Sequence, residues 1–151
     1  MPKRLPALVV FIFGIMPHLE AHTHAEYVGG TASNLDSGNT GSIELGDDHY
    51  LAFYCKQAQV RVRYDRVNLI EYGQKVDRRL AMAVIISPVF LLSKKRQHFL
   101  TVGYTDDGGS QQALVFRVDK NGIRPTLVSL EARTGLKVQY QDEEARKAGR
   151  G

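Results

Sequence analysis

Clustered carboxylates and histidines are side chains that often bind metal ions, and Asp47, Asp48 and His49 form such a group in this chain. Two carboxylates and an imidazole can together hold a metal ion. Because the three residues stand between Leu45 and Leu51, they also fit a hairpin turn between two strands. We favour the turn and expect neither a metal site nor a bound cofactor.

Nucleophilic chemistry has little support. Cys55 is the single cysteine, and the alternation within residues 50–55 favours a small buried hydrophobe over a reactive or intermolecular thiol. Beyond the first 25 residues the chain has two histidines, His49 and His98, each isolated in sequence. No phosphate-binding loop, paired metal-ligand motif or hydrolase motif occurs. The sequence therefore predicts a protein that is not an enzyme, with an unfamiliar catalytic site as the alternative.

Residues 1–25 have the pattern of a secretory signal peptide. They combine a basic start, a short apolar run over 5–16 and small-residue cleavage sites before Glu26 and after Ala21. The run is shorter than the roughly 20 residues that a helical membrane span needs, so a cleaved signal is favoured over a retained anchor. We expect export to the periplasm or the medium, and a folded domain over residues 26–140.

Alternation of apolar and polar residues predicts short antiparallel strands joined by polar breaks. The predicted strands are 26–31, 42–45, 50–55, 59–64, 66–72, 98–104 and 112–118. In 59–64 the alternation places Arg61 and Arg63 on an exposed face. Residues 106–109, with sequence DDGG, tolerate positive φ and join the last two strands in a hairpin.

A single helix is predicted after the last strand. Pro125 fits its first turn, Leu127 and Leu130 share one face, and Gly135 suits the stop. The N-cap would then be Arg124, which is a poor capping residue.

The most unusual segment is 80–93, an apolar run without charge that contains Pro88. Basic residues on both sides would place positive charge on both membrane faces if it crossed, which disfavours spanning. It is either a buried strand or short helix joining two sheets, or a hydrophobic loop that enters one leaflet. In the second case the contacts with the membrane or another anion would come from Arg78, Arg79, Val84, Phe90, Lys94, Lys95 and Arg96.

The charge of the chain is mildly basic, with a formal net charge of +4. This is too weak to indicate a nucleic-acid partner, and no basic helical stripe or aromatic RNA-binding motif accompanies it. The basicity is local, since residues 61–96 contain nine Lys and Arg against three Asp and Glu. An anionic lipid surface is therefore one expected partner.

Residues 141–151 mix both charges with glycine, a composition that predicts a disordered tail.

Seven strands followed by one helix is the order of a pleckstrin-homology-like (PH-like) barrel, in which two packed antiparallel sheets have one open end plugged by the helix. The runs that carry a specific resemblance are RVNLIEYG at 66–73, LLSKKRQHFLTVGYTD at 91–106, VDKN at 118–121 and LVSLEARTG at 127–135. They resemble small exported bacterial proteins of unknown function with PH-like or GRAM-like domains.

The resemblance covers residues 26–140 and implies a binding or interaction module, without supplying catalytic residues. Its ligand is unknown, and its partner would be a protein or an anionic lipid surface. PH domains that bind phosphoinositides use a basic motif in the loop between their first two strands. The corresponding loop here, 32–41, has no Lys or Arg, and this departure argues against inositide binding.

Overall fold

The computed structural model describes residues 22–76, 85–86, 88–91 and 95–150, with the backbone alone described for residues 85, 90 and 91. The strands are β1 His22–Gly30, β2 Thr40–Glu44, β3 Tyr50–Cys55, β4 Gln59–Arg63, β5 Val67–Gly73, β6 Ile85–Ile86, β7 His98–Thr105, β8 Gln111–Val118 and β9 Gln139–Tyr140. The helices are α1 Pro88–Leu91, α2 Lys120–Thr134 and α3 Glu143–Arg150, and a 3₁₀ turn spans Tyr64–Arg66.

One sheet organises these strands. Eight of them lie in the order β4-β3-β2-β1-β8-β7-β5-β9, and β6 pairs with β1. The pairings are antiparallel except for the short parallel pair of β5 and β9. Among the described strands no pairing joins β4 to β9, so the sheet is open. The prediction of a mainly β fold with a helix after the last hairpin is confirmed.

The hairpin of β7 and β8 forms where the alternation predicted it. Thr105 pairs with Gln111 at its closed end, and the carboxylate of Asp106 accepts the backbone N–H of Ser110 at 2.8 Å. Gly109 has φ of 82°, a left-handed conformation that glycine adopts without a steric penalty. The turn residues therefore fix the register that puts the apolar faces of both strands into the core.

The main core lies between one face of the sheet and α2. The ring of Phe116, which is fully buried in this core, lies 4.9 Å from that of Phe53 and 5.9 Å from that of Tyr27. Ile123, Leu127 and other residues of α2 close this core from one side. The sheet and α2 thus share a single apolar interior.

The start of β1 corrects the predicted domain boundary. The strand begins at His22, and residues 22–26 pair with β2. The side chains of Thr23 and Ala25 are buried. A Cβ on Gly122 would lie 2.4 Å from the Thr23 methyl, so α2 approaches β1 closely at this point. The folded domain includes four residues that the boundary at Glu26 had left out.

The start of α2 is also earlier than predicted. The helix begins at Lys120, and the carbonyl of Asp119 accepts the N–H groups of Gly122 and Ile123. Pro125 lies inside the helix rather than in its first turn. Burial of Ile123, which shares a face with Leu127, stabilises the extra turn and outweighs the missing proline N–H. The stop at Gly135 is confirmed, with φ of 73°.

The end of the chain forms a helix, so the predicted disordered tail is wrong for residues 143–150. The carboxylate of Asp142 accepts the N–H of Ala145 at 2.6 Å and caps α3. Ala145 is fully buried, and Gly149 lies against the rings of Tyr72 and Tyr140. The rings of Tyr72 and Tyr140 supply the apolar surface of this contact. The helix can therefore pack closely against them with residues as small as Ala145 and Gly149.

Candidate anion-binding cleft

Four of the seven predicted anion contacts lie outside the described residues: Arg78, Arg79, Val84 and Lys94. Phe90 lies in α1, and for this residue the backbone alone is described. Lys95 and Arg96 are described, and both are exposed. Arg96 also lines the cavity described below.

The apolar segment packs at least partly on the sheet. Ile86 is buried against Val28, Phe99 and Val115, and its strand β6 pairs with the end of β1. Since neighbours along a strand point to opposite faces, Phe99 lies on the face opposite the core residue Leu100. This supports the structural interpretation for residues 85–86. Within the described part of the chain, no helix has the length and hydropathy to cross a membrane.

A cavity of about 700 Å³ opens between the start of β7, the first turns of α2 and the helix α3. Among the described residues that line it are three cations and no carboxylate. We call it the cationic cleft, and its lining residues are Gln74, Arg96, His98, Lys120, Asn121, Arg124, Pro125 and Ala148.

Each cation reaches the cleft from a defined position. Lys120 and Arg124 stand four residues apart on α2, a spacing that places both side chains on one helix face. The Nε of Arg124 donates to the backbone carbonyl of Ala148 at 3.1 Å, which ties α2 to α3. Arg96 forms an ion pair of 2.9 Å with Glu144 of α3. The amine of Lys120 makes no ion pair or hydrogen bond with any described residue.

The inner wall of the cleft holds a histidine and a tyrosine. His98 Nδ1 lies 2.6 Å from the hydroxyl of Tyr72, and their rings are stacked. Burial lowers the pKa of His98, and the nearby charges of Lys120 and Arg124 lower it further. Burial also raises the pKa of Tyr72. Both groups are therefore neutral at pH 7, which leaves the positive charge of the cleft to its Lys and Arg side chains.

A second cavity of about 490 Å³ continues the cleft toward β1 and β8. The two cavities share Arg96, His98 and Lys120. The second differs in holding carboxylates, since Glu26 pairs with Arg117 and Asp119 also lines it. Excess positive charge is therefore greatest on the side of α2 and α3.

Three arginines outside the cleft each pair with an aspartate. The pairs are Arg61–Asp47, Arg63–Asp65 and Arg66–Asp107. The two oxygens of Asp65 accept separate N–H groups of Arg63, a bidentate contact. Arg61 and Arg63 are exposed as the alternation predicted, and this surface carries little unbalanced charge.

The predicted turn between β2 and β3 is confirmed. The carboxylate of Asp47 accepts the N–H of His49 at 2.7 Å and that of Tyr50 at 3.0 Å. The backbone hydrogen bond from His49 is the main cause that lowers the pKa of Asp47.

Across the described ranges, no group of three His, Cys, Asp or Glu side chains could hold a metal ion. Cys55 is half-buried, and its thiol donates to the carbonyl of Ala58 at 3.2 Å.

Sequence reasoning named Arg96 but missed the rest of the cleft. His98 looked isolated because its neighbours in space, Lys120 and Arg124, lie more than twenty residues further along the chain. The four-residue spacing of Lys120 and Arg124 was a usable signal. It was hidden because the predicted helix began one turn too late to include Lys120.

Comparison of the chain with protein-family models and with curated proteins finds no match. No family is therefore shown for it.

Proposed function

We propose that this chain is an exported PH-like binding module that holds an anionic ligand in the cationic cleft. The observation that carries the proposal is Lys120. Its amine lies in a cavity with two arginines, and no described residue neutralises it. The described lining residues offer no carboxylate, thiol or serine hydroxyl, and the imidazole present is hydrogen-bonded to Tyr72. This composition favours binding over nucleophilic catalysis.

The strand order supports a PH-like topology. Without the two-residue strands β6 and β9, the order is 4-3-2-1-8-7-5, two antiparallel meanders that meet where β1 pairs with β8. The helix that follows β8 buries Leu127 and Leu130 in the core between them. The cleft is separate from the loop between β1 and β2, whose lack of Lys and Arg argued against a ligand there.

Export is proposed from the sequence of residues 1–21, which lie outside the described residues. Of the two cleavage sites, the one after Ala21 leaves β1 whole. Cleavage before Glu26 would remove the strand residues Thr23 and Ala25, whose side chains are buried in the fold. We therefore propose that the mature chain begins at His22.

We expect anions to perturb backbone amide signals at the cleft when phosphate, sulfate or citrate is titrated into ¹⁵N-labelled protein. The affected residues should cluster at 96–98 and 120–124. The shifts should shrink as ionic strength rises from about 0.01 M to about 1 M, because the Debye length falls from roughly 30 Å to roughly 3 Å. Shifts centred on the paired arginines Arg61 and Arg63, or scattered over the surface, would contradict the proposed site.

Peripheral membrane association is the second candidate, and Val89 favours it. This side chain of α1 is 68% exposed, and the exposed cations Lys95 and Arg96 follow it in the chain. An apolar side chain beside cations suits the interface of an anionic leaflet.

Co-sedimentation with neutral and anionic vesicles tests this candidate. Val89→Asp should remove binding to anionic vesicles by the wild-type protein. Val128→Asp is the matched control, since Val128 is 66% exposed on α2 and the charge change is the same. If wild-type protein stays in the supernatant, or if both variants bind like wild type, Val89 does not serve as a membrane contact.

A further inference from the structure

The ligand class can be named from the same cleft, and this step rests on the proposed function. We infer that the cationic cleft binds a phosphomonoester, a phosphate group esterified at one oxygen. Such a group carries a charge of about −1.5 to −2 at pH 7 and three oxygens that accept strong hydrogen bonds.

The charges in the cleft match this group. Glu144 offsets Arg96, while Lys120 and Arg124 lack a carboxylate partner among the described residues. The cleft therefore has about two positive charges to balance, more than a single carboxylate supplies. Asp119 lines the adjoining cavity, which Lys120 also lines, but the two side chains form no ion pair.

The donor groups in the cleft are of the types that bind phosphate. Arg124 uses its Nε for Ala148, and the described residues offer no acceptor to its two terminal nitrogens. A planar guanidinium with two such nitrogens can donate to two phosphate oxygens at once. The amine of Lys120 adds a mobile point charge one helical turn away, and the amide of Asn121 adds a neutral donor.

The size of the cleft argues for an ester rather than free phosphate. About 700 Å³ lies well within the range of small-molecule sites, roughly 300–1,000 Å³. Pro125, Ala148 and the half-buried ring of His98 provide surface that needs no charged partner. The organic part of the ligand would lie against these residues while its phosphate contacts the cations.

Glu144 acts as an internal competitor for the ligand. The side chains of Arg96 and Glu144 are 62% and 63% exposed, and exposed ion pairs of this kind are weak. A phosphate group can therefore displace Glu144 and add Arg96 as a third cation.

Isothermal titration calorimetry at low ionic strength, with sn-glycerol 3-phosphate and succinate as probes, tests the inference. Wild-type protein should bind the phosphomonoester at least about tenfold more tightly than the dicarboxylate. Arg124→Gln should weaken phosphomonoester binding by about tenfold or more, and Glu144→Gln should tighten it by about two- to fivefold. Lys56→Gln, which removes an exposed cation in the turn between β3 and β4, should change it less than about twofold. Thermal unfolding checks that each variant is folded.

The outcomes separate the inference from the proposed function. Equal or tighter binding of succinate, still weakened by Arg124→Gln, overturns the phosphomonoester and leaves an anion-binding cleft. If neither probe binds, or if Arg124→Gln and Lys56→Gln have the same effect, both proposals fail. A parallel titration with phosphatidic acid vesicles distinguishes the source of the phosphate. Tighter binding to the vesicles than to the soluble ester would identify the ligand as a lipid headgroup. Tighter binding to the soluble ester would identify it as a soluble metabolite.

Discussion

Replacing Ala145 by aspartate is expected to lower the free energy of unfolding by about 2–4 kcal/mol. Ala145 is fully buried where α3 meets the main core. An aspartate there would bury a carboxylate without a partner or force α3 away from Tyr72 and Tyr140. Because α3 forms one wall of the cationic cleft, its release should also weaken anion binding.

Urea unfolding monitored by circular dichroism measures this effect. Val128→Asp is the control, since it adds the same charge to an exposed position of a helix and should change stability by less than about 0.5 kcal/mol. Equal stability of the two variants would mean that α3 does not dock on the domain.

The strands were predictable because alternation is a local property of the chain. Residues 50–55 and 98–104 form strands where the pattern placed them, and the DDGG turn fixes the register of the hairpin of β7 and β8. In each case the side chains that must be buried are large and apolar. The pattern can then be read without knowing what packs against it.

The errors occurred where burial depends on distant partners. Thr23 and Ala145 are small, so neither signals a buried element by its own hydropathy. Thr23 lies against Gly122 of α2, and Ala145 belongs to the same core cluster as Tyr72. Both of these partners are far away in sequence. The predicted helix start at Pro125 was wrong for a related reason. Tertiary packing stabilises a helical turn before Pro125, whereas local sequence rules assign those residues to a loop.

The cleft could be predicted only in part. Arg96 belongs to a basic run, which indicated an anionic partner but not the place where it binds. The partners of Arg96 come from α2 and α3, and their convergence depends on how both helices pack on the sheet. The place of Arg96 in the cleft is therefore set by tertiary structure rather than by the composition of the run.

Reversing the charge of Lys120 is expected to have the largest effect on binding. At about 4 Å and an effective dielectric constant near 20, two unit charges interact with about 4 kcal/mol. Lys120→Glu replaces that attraction by repulsion, so anion affinity should fall by about a hundredfold or more even after solvent screening. The side chain is exposed at the start of α2, so the fold should tolerate the change.

Lys56→Glu is the matched control, because it changes the net charge equally at an exposed position outside the cleft. The most direct measurement is the affinity of wild type and both variants for pyrophosphate and for citrate, by calorimetry at low ionic strength. We expect Lys120→Glu to abolish measurable binding of both anions, while Lys56→Glu stays within about threefold of wild type. Equal losses in the two variants would show a response to net charge alone and would contradict a specific anion site in the cationic cleft.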